Sequence, residues 1–129
     1  MRHKILTQTT ILLLLISFGS CGKSSTKEAR IKIESDALNL GDVYDSSALV
    51  VKIKSIGSDT LKLIKIAAAC GCTQVNAEKD NIPPGDSTFL RGKFTPEALG
   101  QFEKSIVLNT NSKKKFHVIR IRGNTKTKI

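Results

Sequence analysis

Two cysteines separated by one glycine, Cys70-Gly71-Cys72, are the residues of this chain best suited to chemistry. Three uses of such a pair are open. The sulfurs can bridge, they can bind a soft metal, or they can exchange electrons with another thiol. Residues i and i+2 on a strand face the same way, about 6.6 Å apart at roughly 3.3 Å per residue. Disulfide partners have Cα atoms about 4.4–6.8 Å apart, so an extended pair sits at the limit of bridging. Gly71 is expected to permit the bend that brings the sulfurs together. A ring that small is expected to be strained, and strained bridges are the more easily reduced ones. As thiolates the pair would suit Cu(I) better than a closed zinc site, which needs four ligands. Few further donors exist, because beyond an expected N-terminal export signal the chain offers only His117 and no methionine follows Met1. Redox exchange needs a lowered thiol pKa, from a helix N-terminus or a basic neighbour. No helix is predicted there, and the nearest preceding basic residue is Lys65.

Other catalytic arrangements are missing from the sequence. It has no Gly-rich phosphate loop, no Gly-x-Ser-x-Gly elbow and no His-Glu-x-x-His. His117 reads as a surface-facing strand residue. The carboxylate pairs Asp42/Asp45 and Glu78/Asp80 flank predicted turns, where solvation accounts for them. The chain is therefore expected not to be an enzyme, and to carry no cofactor unless Cys70 and Cys72 hold Cu(I).

The elements that would position the cysteines follow from a hydrophobic period of two that begins at Ala29. Arg30–Glu34 alternates, and Leu49, Val51 and Ile53 share one face opposite Lys52 and Lys54. A polar turn over 55–60 leads into Leu61–Ile66. Lys62 and Lys65 lie three apart there, and a bulge near Leu63-Ile64 would let both reach solvent. Thr73–Ala77 follows the cysteines. Pro83-Pro84-Gly85 marks a turn, because proline fixes φ and glycine permits φ > 0. Ser87–Phe94, Gln101–Asn109 and Phe116–Arg122 complete about seven short strands, which together read as an all-β sandwich. Leu49, Val51, Ile53, Leu61, Leu63, Val75, Phe94, Phe102, Ile106, Val118 and Ile121 are the expected core. On the last strand, Phe116/Val118 and Ile119/Ile121 compete for the inward face.

The N-terminus has a different character. A basic start, Met1-Arg2-His3-Lys4, precedes the apolar run Ile11–Phe18 and the small residues Gly19-Ser20. That order is an export signal, and its apolar run is shorter than the roughly 20 residues of a spanning helix. Phe18-Gly19-Ser20-Cys21 resembles a bacterial lipobox, with Phe18 where leucine is usual. The resemblance implies acylation of Cys21. Residues 1–20 then form the signal, 21–28 the lipidated cysteine and a flexible tether, and 29–129 the domain. The net charge of +10 falls by two when Arg2 and Lys4 leave with the signal. A basic mature chain suits a solvated surface, or anionic headgroups or glycans near an anchor. Nucleic acid does not fit: Trp is absent and no binding motif is present. Lys113-Lys114-Lys115 reads as a turn between strands.

In order along the chain stand Cys70-Gly71-Cys72-Thr73, Ile82-Pro83-Pro84-Gly85, Phe94-Thr95-Pro96, Gly100-Gln101-Phe102-Glu103-Lys104, Asn109-Thr110-Asn111 and Ile121-Arg122-Gly123. This succession, over roughly Leu38 to Gly123, resembles the bacterial DUF1573 family, allied to ASPM/SPD-2/Hydin-type domains. Ser55-Ile56-Gly57 stands where the family has Asn-x-Gly, and Ala69 where it has serine. The resemblance implies an immunoglobulin-like β-sandwich in an exported protein, and it implies no activity. The expectation is a non-enzymatic lipoprotein of the bacterial envelope, anchored through Cys21 in the outer membrane and facing the periplasm. Its partners would be the membrane and another envelope protein or a glycan, met on strand edges or on the loops Cys70–Thr73 and Pro96–Gly100. The rival expectation is a Cu(I)-binding or redox protein using Cys70 and Cys72.

Overall fold

The computed structural model describes Gly22 and residues 25–129. The expected export signal, residues 1–20, and Cys21 lie outside the described residues. Every regular element among the described residues is a strand: β1 (Ile31–Ile33), β2 (Ala37–Val43), β3 (Ser47–Ser55), β4 (Leu61–Ala68), β5 (Thr73–Ala77), β6 (Asn81–Ile82), β7 (Ser87–Phe94), β8 (Gly100–Thr110) and β9 (Phe116–Thr125). They form a four-stranded sheet of order β1-β3-β7-β5 and a five-stranded sheet of order β2-β9-β8-β4-β6. The result is an immunoglobulin-like sandwich. Two of its strands, β2 and β6, lie outside the seven that the periodicity predicts. Neighbours pair antiparallel except β2, which runs parallel to β9 and places Ala37 beside Arg120.

The core fills the space between the two sheets. Leu49, Val51, Ile53, Leu90 and Phe94 project from one, and Leu61, Ile106, Leu108, Ile119 and Ile121 from the other, all at most 3% exposed. Burying each such side chain is worth about 1.5–3 kcal/mol relative to leaving it in water. The expected core is thereby corrected at Val118, which is 48% exposed. The β8–β9 register sets Ile119 opposite Ile106 and Val118 opposite Val107, so Ile119 and Ile121 take the inward face. Val75 and Phe102 pack against the core while only partly buried. The predicted bulge is present: the β4–β8 register shifts between Leu63 and Lys65, leaving Ile64 on the surface.

Two glycines hold places that no other residue fits. A Cβ at Gly92 would lie 2.1 Å from the Gln74 carbonyl oxygen, so β5 approaches β7 only because Gly92 has no side chain. A Cβ at Gly57 would lie 2.2 Å from the Glu28 carbonyl oxygen. That contact gives the Ser55-Ile56-Gly57 turn its purpose, since the N-terminal segment lies across it. Ser58 and Asp59 N–H both donate to the Glu28 carbonyl, at 2.8 and 3.2 Å.

The strand directions define two ends. At the lower end the chain enters at Glu28, and the β3–β4 turn and the β8–β9 turn lie beside it. At the upper end lie the β4–β5, β7–β8 and β2–β3 connections. Between them β8 runs ten Cα steps, roughly 33 Å.

Candidate functional site

Cys70 and Cys72 occupy the four-residue crossover from β4 in one sheet to β5 in the other. Their sulfurs are joined, with Cα atoms 5.2 Å apart, closer than an extended pair would be. A turn supplies the bend: Thr73 N–H donates to the Cys70 carbonyl at 3.3 Å. Backbone bonds tie the crossover to both sheets. Ala69 N–H donates to the Ser105 carbonyl at 2.9 Å, and Thr95 N–H to the Cys72 carbonyl at 2.8 Å. Cys72 is buried in the core and Cys70 packs against it. The Thr73 hydroxyl lies 3.9 Å from Cys70 Sγ and 3.8 Å from Cys72 Sγ, within weak hydrogen-bonding reach of each.

The bend does not use the freedom expected of Gly71. Positive φ occurs at Gly41, Gly85 and Gly100, not at Gly71, and a Cβ on Gly71 would meet nothing within 4 Å. Gly85 behaves as predicted. Its φ of 82° closes a turn in which Asp86 N–H donates to the Pro83 carbonyl at 3.0 Å.

The other expected site residues are dispersed. His117 lies at the lower end, where its Nε2 is 3.2 Å from the Ser112 hydroxyl. It is half-buried rather than surface-facing, and burial is the main cause that lowers its pKa. His117 therefore lies at the opposite end of the sandwich from the bridge. No group of three or more His, Cys, Asp or Glu that could hold a metal occurs among the described residues. Joined sulfurs offer no thiolate, so the Cu(I) reading finds no support. The carboxylates serve ion pairs instead: Asp42 with Lys126 at 2.6 Å, Asp45 with Lys128 at 3.4 Å, and Glu78 with Arg91. The hydrogen bond from Lys126 is the main cause that lowers the Asp42 pKa.

The loop Pro96–Gly100, expected from sequence to meet partners, borders a hollow at the upper end. The hollow has a volume of about 340 Å³, and Phe94, Pro96, Leu99, Phe102 and Thr125 are among the residues lining it. Phe94 and Phe102 come from opposite sheets and stack with centroids 4.4 Å apart. Leu99 stands at the rim, 69% exposed. The buried Thr125 hydroxyl has no hydrogen-bond partner. Glu97, Gln101, Glu103 and Lys104 also line it, so the hollow can hold an apolar group beside charged and hydrogen-bonding ones. The sequence named the loop but gave no sign of the Phe94–Phe102 stack or of Thr125 beside it.

The family described as "protein of unknown function (DUF1573)" matches over residues 31–125. No curated protein matches at a significant level. A Porphyromonas gingivalis protein of unknown function has a similar fold, with TM-score 0.70 and 18% identity over 74% of this chain. The chain spans about half of that protein, 46% of its length. The ASH / PapD-like domain 7 of human CEP192 is similar over 88% of this chain and 99% of its own, with TM-score 0.61 and 10% identity. The Vibrio cholerae VesB protease matches over 75% of this chain but 32% of its own, at 12% identity and TM-score 0.59. At such identities the likeness concerns the fold alone.

Proposed function

The chain belongs to the DUF1573 family, and from that premise we propose that it is a non-enzymatic interaction module of the bacterial envelope. Cys21 carries the acyl anchor, residues 21–28 are the tether, and the sandwich faces the periplasm from the outer membrane. The upper end takes a partner, either another envelope protein or a glycan. The observation that carries this reading is the upper hollow. Phe94 and Phe102 stack at its base beside Glu97, Gln101, Glu103 and Lys104, Leu99 stands exposed at its rim, and the Thr125 hydroxyl lies buried without a partner. An unpaired buried hydroxyl is costly in the free protein, and a bound partner can relieve that cost. End loops on a rigid sandwich are also where binding residues concentrate.

Two measurements test the reading. Full chain extracted from membranes is expected to begin at an acylated Cys21, and Cys21→Ala is expected to leave the membrane fraction. A photo-crosslinking residue at position 99 is expected to give one discrete adduct in cells, and the same residue at exposed Val50 none. Equal adducts at both positions, or none at either, would refute the upper end as the binding surface.

A further inference from the structure

We propose that the lower end of the sandwich rests on anionic phospholipid headgroups through the turn Lys113-Lys114-Lys115, with Ile56 and Phe116 set into the interfacial layer. The inference rests on the acylated tether proposed above and specifies how the domain stands on its membrane. Three observations converge on this end.

The first is where the tether arrives. Seven residues from Cys21 to Glu28 reach at most about 25 Å. Glu28 is then fastened at the lower end: its N–H donates to the Ser58 hydroxyl at 2.9 Å, and its carbonyl accepts two further bonds. An anchor therefore delivers the bilayer to this end. The second is charge. Lys113, Lys114 and Lys115 are exposed, and none has a carboxylate partner among the described residues. The acids at this end are Glu28, which pairs with Arg30 at 3.5 Å, Asp59, whose carboxylate accepts the Thr60 N–H, Asp86, which pairs with Lys79 at 3.4 Å, and the exposed Asp80. Lys27 in the tether adds a further cation. The third is apolar exposure. Ile56 is 50% and Phe116 58% exposed, and Ile56 and Lys113 line one hollow together with Glu28 and Arg30. Apolar side chains rimmed by lysines suit the boundary between headgroups and acyl chains.

The lysine turn is held in place. Thr110 N–H donates to the Lys115 carbonyl at 2.8 Å, and the Ser112 hydroxyl to the Lys114 carbonyl at 2.6 Å. Asn111 staples it to the neighbouring turn, accepting the Lys62 N–H at 2.8 Å and donating to the Thr60 carbonyl at 3.0 Å. The lysines thus face the membrane as a fixed group. The hairpin reading from sequence is correct for the local structure, but where the hairpin lies relative to the chain's point of arrival depends on the tertiary fold.

The test uses the soluble domain from Ser25 to Ile129, which contains every residue of the core cluster and so folds as a unit. Vesicles of phosphatidylglycerol and phosphatidylethanolamine are compared with phosphatidylcholine vesicles at low salt. Each basic side chain at an anionic surface is worth about fivefold in binding, so a triple variant at Lys113, Lys114 and Lys115 to Ser is expected to bind on the order of a hundredfold more weakly. A triple variant at Lys32, Lys52 and Lys54, which removes equal charge from the outer face of the other sheet, is expected to stay within about fivefold of the parent. Equal losses in the two, or no preference for anionic vesicles, would overturn the proposal. Ile56→Ser with Phe116→Ser is expected to weaken vesicle binding and leave binding to dextran sulfate unchanged. If vesicle binding is unaffected, the occupant is a soluble polyanion and the bilayer reading fails. Circular dichroism confirms that each variant is folded. An unacylated Cys21 in the full chain would overturn the tether by a separate measurement, without altering the vesicle result.

Discussion

Reducing the Cys70–Cys72 bridge is expected to cost the domain little stability. A bridge stabilises mainly by removing conformations from the unfolded chain, and the effect grows with the length of the closed loop. This bridge has a sequence separation of two. For a closed loop of three residues the chain-entropy relation gives about 1.6 kcal/mol at room temperature, against about 4.7 kcal/mol for a loop of a hundred. The native turn does not depend on the bridge alone, since Ala69, Cys72 and Thr73 are held by backbone hydrogen bonds to Ser105, Thr95 and Cys70. The assay is urea unfolding of one protein, oxidised and then reduced, followed by circular dichroism. Using the same chain keeps Cys72 in its buried place and isolates the covalent bond. The expected result is a midpoint lowered by the equivalent of about 1.6 kcal/mol, with an unchanged slope. A loss above about 4 kcal/mol would refute the reasoning and make the bridge a staple of the whole sandwich. No loss at all would refute it from the other side.

Gly92→Ala is expected to destabilise by about 1–3 kcal/mol or more, because its Cβ meets backbone on β5, whereas Gly71→Ala should stay within about 0.5 kcal/mol. Thermal unfolding of the two variants checks this contrast, and equal effects would contradict it. Ser55→Ala removes a fully buried hydroxyl that has no hydrogen-bond partner. It should leave stability unchanged or raise it by up to about 1 kcal/mol in the same assay, and a clear loss would mean that the hydroxyl is satisfied. His117 is expected to give the stability a pH slope. Burial lowers its folded pKa, so the unfolded chain takes up the proton first as pH falls. Stability should be complete above the ordinary imidazole range near about 6.5 and decline as pH drops through it toward the lower folded value. Urea midpoints measured from pH 8 to pH 5 would show that slope, and His117→Asn should flatten it. Asp42 and Asp86, held low chiefly by the Lys126 side chain and the Ser87 N–H, act at lower pH.

Where the chain alternates cleanly, its sequence disclosed the fold. The strand at Leu49–Lys54, the bulge at Leu63-Ile64 and the Pro83-Pro84-Gly85 turn are all local effects of side-chain type. β2 escaped notice for a physical reason. Its register against β9 shifts between Asn39 and Asp42, and Gly41 inside it takes a φ of 64°. That irregularity interrupts the alternation, and β2 pairs with the far end of the chain. The inward face of β9 was equally hidden, because Phe116, Val118, Ile119 and Ile121 satisfy either parity and only pairing with β8 chooses one. Cys70 and Cys72 were conspicuous, yet the reason given for Gly71 did not hold. The upper hollow is lined mostly by the β7–β8 segment, whose loop Pro96–Gly100 the sequence singled out, whereas the lysine-bearing lower end joins segments distant in sequence that tertiary packing alone could reveal.

The parallel pairing of β2 with β9 bears on the order of assembly. β9 lies between β2 and β8 in its sheet, and it is also the last strand in the chain. Ala37 pairs with Arg120 across nearly the full span of the sandwich sequence. A topology dominated by such distant pairings folds slowly, because the cost of closing the loop is met before the contacts form. Until β9 is in place, β2 has no partner and β8 lacks one of its two neighbours. Docking of β9 is therefore expected to be a late step of folding, one that joins β2 and β8 into a single sheet at once.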